Sequence, residues 1–133
     1  MNRSNNENQF IAIKVEDNLF AVSADHVLYI AKGNESMSQA VITKKTQKIK
    51  CIIDIGGQLV TIVNLPGIGG DIPVLNNVIV VLEHAGQNIG ILANEVQLVT
   101  ISANEMCMDS VTKTKSFIHA GKTYLVLDIN ELY

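Results

Sequence analysis

The sequence predicts an all-β protein built as two small barrels around a shared hydrophobic core. Three observations carry that prediction. Ile and Val supply 31 of the 133 residues, and β-branched side chains, stiff at χ1, suit a pleated sheet better than a helix. Short apolar runs are divided by tight-turn signals, the pattern of hairpins. Segments of the first half recur in the second in the same order, as in a repeated unit of about 65 residues. A unit of that size buries little surface alone, so two of them must share a core.

The elements follow in chain order. Residues 1–9 are polar and Asn-rich and are expected to form a disordered tail, leaving 10–133 as one domain of two repeated subdomains. Phe10 to Val15 and Leu19 to Val22 flank Glu16-Asp17-Asn18 and form the first hairpin. Ser23 is placed to cap a short helix over Ala24 to Ile30, with Val27, Ile30 and Ala31 on one face. Residues 31–48 are polar, carry Lys44, Lys45 and Lys48, and read as a solvated loop. The second hairpin joins Ile49–Ile55 to Leu59–Val63 through Gly56-Gly57, two residues free to adopt positive φ. Residues 64–73 hold both prolines and three glycines and read as a loop.

The third hairpin pairs Val78–Glu83 with Asn88–Leu92 across residues 84–87, and Val96–Ile101 is a further strand. Ser102 and Glu105 have capping-box spacing for one helical turn. The fourth hairpin, Ser116 to Ala120 and Thr123 to Leu127, turns at Gly121-Lys122. Asp128 is placed to cap a short terminal helix. Two sets of matches define the repeat. Ala24-Asp25-His26-Val27 is matched at one offset by Ala93-Asn94-Glu95-Val96. Gly57, Val63, Asn64 and Leu65 are matched, at a second and slightly shorter offset, by Gly121, Leu127, Asp128 and Ile129.

Composition excludes several classes. A net charge of −3 with 17% charged residues does not suit a nucleic-acid binder, which needs a basic face. The longest apolar run, Val78–Leu82, is too short to span a bilayer, and residues 1–8 contain no signal-peptide core. The chain is therefore expected to be cytoplasmic, with Cys51 and Cys107 reduced and buried as small hydrophobes.

Catalytic chemistry finds little purchase. There is no G-x-S-x-G elbow, and neither cysteine has a histidine nearby in sequence. His26, His84 and His119 are singletons without metal-ligand spacing, so neither metal nor other cofactor is expected. Gly67-Ile68-Gly69-Gly70 follows a strand, but Asp71 and Pro73 come where a phosphate would need a helix N-terminus. The competing expectation is a small β-barrel ligand-binding protein or enzyme that uses loop 64–73 as a lid over a polar pocket with a histidine.

The runs "QKIKCIIDIGGQLVTIVNL", "FIAIKVEDNLFAVSADHVLYI", "VIVVLEHAGQNIGILANEVQLVTI" and "FIHAGKTYLVLDINEL" together resemble the CheW-like domains of bacterial chemotaxis, over about residues 10–133. That resemblance implies two SH3-like five-stranded barrels. It implies a non-enzymatic adaptor without cofactor. The partners it implies are the cytoplasmic tip of chemoreceptors and the regulatory domain of a CheA-type histidine kinase. By position in the motif, Val27, Tyr29, Asp54, Ile55, Gly56 and Gly57 would form the partner-binding groove, with Ile55 exposed at the turn edge. Asp54-Ile55-Gly56-Gly57 stands where the family usually carries Asn-Leu-Arg-Gly, so the guanidinium of that motif is absent. Tyr29 stands where many members carry Glu.

Overall fold

Twelve strands are found among the described residues of the computed structural model, which are 7–32, 37–42, 49–65 and 77–132. They are β1 (Glu7–Val15), β2 (Asn18–Ser23), β3 (Val27–Lys32), β4 (Met37–Ile42), β5 (Ile49–Ile55) and β6 (Gln58–Val63), then β7 (Val78–His84), β8 (Gln87–Ala93), β9 (Glu95–Ser102), β10 (Cys107–Met108), β11 (Lys115–His119) and β12 (Lys122–Val126). A single helical turn, α1 (Ile129–Leu132), closes the chain. The strands form two six-stranded sheets, ordered β10-β11-β12-β2-β1-β9 and β3-β7-β8-β6-β5-β4. The all-β, two-barrel expectation holds, with six strands in each sheet where five were expected.

Each sheet curls about a core of its own. Phe10, Ala12, Ala21, Phe117 and Tyr124 fill the first, here the aromatic barrel. Ile53, Ile55, Val60, Ile62, Ile79, Val81 and Leu92 fill the second, the aliphatic barrel. The opposite faces of β1, β2, β7 and β8 meet in a third cluster, built on Ile11, Ile13, Val15, Phe20, Val80, Leu82, Ile89 and Ile91. These four strands are therefore buried on both faces, which explains their nearly unbroken apolar sequences. The third cluster is the shared core.

The repeat has a feature that the sequence concealed: the halves exchange hairpins. β1 and β2 join the second half's β9–β12, and β7 and β8 join the first half's β3–β6. The exchange leaves two parallel contacts, Phe20 opposite Leu125 and Ile89 opposite Thr61. The two offsets of the sequence repeat map one contact onto the other. Val27 opposite Leu82 likewise maps onto Val96 opposite Ile13.

Several local expectations are corrected. β1 begins at Glu7, inside the expected tail, because residues 7–9 pair with Thr100, Ile101 and Ser102 of β9; residues 1–6 lie outside the described part. The predicted helix over 24–30 is a 3-10 turn at Ala24–His26 followed by β3. Ser23 caps it as expected, its hydroxyl accepting from the Asp25 N–H at 3.3 Å. Within the expected loop 31–48, β3 runs on to Lys32 and Met37–Ile42 is a strand on β5; the lysines at 44, 45 and 48 lie outside the described residues. The third hairpin turns more tightly than expected, at Ala85-Gly86, and the fourth turns one residue earlier than expected, at Ala120-Gly121. Cys51 is half-buried against the aliphatic core, but Cys107 is exposed rather than buried.

Three expected features are present. Gly56 and Gly57 turn the second hairpin with φ of 60° and 88°. Glu105 accepts the Ser102 N–H at 2.7 Å, the capping-box contact. Asp128 accepts the Asn130 N–H at 2.9 Å at the start of α1.

Candidate docking surface

The outward faces are built on strands whose inward residues seal the cores. β3 ends the sheet order of the aliphatic barrel and pairs with β7. Val27 stands opposite Leu82 and Tyr29 opposite Val81, so Leu28 is the extra residue of a β-bulge. Past the bulge, Ala31 turns into the barrel while Leu28, Tyr29 and Ile30 are exposed, at 49%, 36% and 42%. Three consecutive exposed apolar residues break the alternation that a regular strand would impose. On the equivalent strand β9, Leu98 is exposed between Gln97 and the buried Val99.

The predicted site residues fall into two groups. Val27 and Tyr29 share the β3 edge; Val27 is half-buried against the shared core and Tyr29 is open. Asp54, Ile55, Gly56 and Gly57 share the β5–β6 turn. There the Asp54 carboxylate accepts the Gly57 N–H at 2.8 Å and holds the turn closed. The sheet order sets β7, β8 and β6 between the two groups.

Ile55 departs from expectation. Its side chain is 8% exposed and belongs to the aliphatic core, because it shares the inward face of β5 with Ile53. The outward apolar residue at this turn is Leu59, which stands opposite Asp54 and is 57% exposed. Gln58 accepts from the Asn88 side chain at 3.1 Å, which joins this turn to β8.

Sequence reasoning did not single out Leu28, Leu59, Leu98 or the exposed Ile118, and it set Ile30 on a helix face rather than at an exposed strand edge. The signal for β3 was present in the run Val27-Leu28-Tyr29-Ile30, which has no period-2 pattern.

A cleft of about 690 Å³ lies between the barrels. His26, His84, Lys113, Lys115, Asp128 and Glu131 are among its lining residues. Asn64 and Leu65 do not line it, and the remainder of the Gly-rich loop lies outside the described residues. Beside the cleft, Asp109 accepts the N–H groups of Val111 and Thr112 at 2.8 and 2.9 Å. These contacts hold the Asp109 carboxyl below the usual range, the Thr112 N–H contributing most. Among the described residues, no group of three or more His, Cys, Asp or Glu converges to hold a metal, and no helix is long and apolar enough to cross a membrane.

No family model matches the sequence, and no curated protein matches it. Among solved structures, the scaffolding protein TtCheW from Thermoanaerobacter tengcongensis is similar, with a TM-score of 0.75 and 16% identity over 92% of this chain and 89% of that one. The chain thus has a CheW-like fold.

Proposed function

We propose that this protein is a non-enzymatic signal-transduction adaptor that couples chemoreceptors to a CheA-type histidine kinase through protein–protein contacts in the cytoplasm. The observation that carries this reading is the exposed Leu28-Tyr29-Ile30 stretch at the β3 edge of a CheW-like fold. Apolar and aromatic side chains without charge suit the centre of a protein interface. Tyr29 offers a rigid amphipathic contact of the kind that anchors interfaces.

In this reading Val27 and Ile55 act from beneath. Val27 fixes the β3 edge to the shared core, and Ile55 seats the turn on the aliphatic core. Tyr29, Asp54, Gly56 and Gly57 supply the contact surface. The partners are the regulatory domain of the kinase and the cytoplasmic tip of a receptor. The test is capture of the purified chain by a CheA regulatory domain and, separately, by a receptor tip fragment. Binding to both that weakens on Tyr29→Arg supports the reading. Binding to neither overturns it.

A further inference from the structure

Because the two barrels repeat, each shows what the other needs in order to fold. On β9, Val96, Gln97, Leu98 and Val99 stand opposite Ile13, Ala12, Ile11 and Phe10 of β1 in unbroken register. The repeat carries those four partners to Leu82, Val81, Val80 and Ile79 of β7, which stand opposite Val27, Tyr29, Ile30 and Ala31 of β3. The two sets agree in burial. Val96 and Val27 pack against the shared core, Val99 and Ala31 are buried, and Gln97, Tyr29, Leu98 and Ile30 are exposed. Leu28 is left over. It is a one-residue insertion relative to β9, taken up as the bulge. The aromatic barrel builds the same edge without it, so the fold does not require Leu28.

We propose that the Leu28 bulge is the specificity determinant of the docking surface, an inference that rests on the adaptor reading above. A single exposed leucine means little on a protein surface. Leu28, however, joins Tyr29 and Ile30 into one continuous apolar stretch, and contiguous exposed apolar surface marks interaction sites. The equivalent stretch of β9 sets polar Gln97 before Leu98 and has no third member. Bulges recur at sheet edges and beside functional sites, where they re-aim side chains. The insertion therefore gives one of two equivalent edges the width that an apolar strip of the partner covers. It is what lets that partner tell β3 from β9.

Deletion of Leu28 tests this in the capture assay, with whichever fragment, the kinase regulatory domain or the receptor tip, loses binding on Tyr29→Arg. Tyr29 would then follow Val27 directly, as Gln97 follows Val96. The shortened chain should melt close to the parent, and its capture should fall at least about tenfold, the loss of a central interface contact. Leu28→Ala keeps the extra residue and should lose about two- to fivefold. Leu98→Arg, on the edge without the bulge, should leave capture unchanged. Capture by neither fragment, or capture indifferent to Tyr29→Arg, overturns the docking surface on which the inference rests. With those intact, full capture after the deletion, full capture by Leu28→Ala, or a loss on Leu98→Arg overturns the role of the bulge. A deletion variant that does not fold overturns the premise that β3 can do without the residue.

Discussion

Gly90 lies directly against Ile62 in the aliphatic barrel: a Cβ on Gly90 would stand 2.6 Å from Ile62 Cδ1, 3.0 Å from Val60 and 3.1 Å from Ile79. A methyl group there would force the end of the Ile62 side chain aside and press on Val60 and Ile79. Gly90→Ala should cost about 1–3 kcal/mol through overpacking, measured by urea unfolding. Ile62→Val deletes the offending methyl, so the double variant should lose less than the sum of the two single ones. Additive losses would show that the contact with Ile62 is not the cause.

The aromatic barrel fills the same space by other means. Ala21 is the repeat equivalent of Gly90, and the volume lies instead in Phe117, which packs on Phe10 and Tyr124 at ring-centroid distances of 5.3 and 5.5 Å. Phe117 is fully buried. Phe117→Ala should therefore cost about 3–5 kcal/mol in the same unfolding experiment. A loss below about 1 kcal/mol would mean that this barrel adds little to global stability.

How much of this was legible varies with the range of the interaction. The four hairpins were readable because turn chemistry is local: Gly56-Gly57 specifies its own bend. Which hairpin joins which sheet was not, since Phe20 meeting Leu125 and Thr61 meeting Ile89 leave no mark within either segment. β3 was mistaken for a helix because Val27, Ile30 and Ala31 satisfy helical spacing and Ser23 is a true cap. What decided against the helix was pairing with β7, a strand from the other half of the chain. The burial of Ile55 was readable from its parity with Ile53, whereas the motif suggested the reverse. The cleft joins His26, His84, Lys113 and Asp128, four separate stretches of chain, and no pattern in the sequence announces it.

Tyr29 and Ile55 separate docking from folding. Tyr29→Arg changes an exposed position and should alter stability by no more than about 0.5 kcal/mol. It should weaken capture by a CheA regulatory domain or a receptor tip roughly fivefold or more, the loss of an interface anchor. Ile55→Arg should instead drive an unpaired charge into the aliphatic core and destabilise the whole chain. Calorimetry beside the capture assay distinguishes them; full capture by Tyr29→Arg would remove β3 from the interface.

Asp109 gives the β10–β11 loop an acid limit. Its carboxylate is held below the ordinary value by the N–H groups of Thr112 and Val111. A group depressed in the folded state stabilises above its unfolded value, about 3.9 for Asp, and loses that contribution as pH falls through its lower folded value. The loop carries the positive φ of Lys113, 63°, and Val111 at 86% exposure; beside the carboxylate contacts, the Lys113 N–H donates to the Asp109 carbonyl at 2.8 Å and the Asp109 N–H to the Thr114 carbonyl at 2.9 Å. Titration followed by the amide resonances of Val111 and Thr112 should show the loop loosening below about pH 4 while the strands stay intact. Asp109→Asn retains an acceptor oxygen but cannot ionise, and should lose the pH dependence over that range. Amide shifts that move identically in both proteins would place the acid-sensitive group elsewhere.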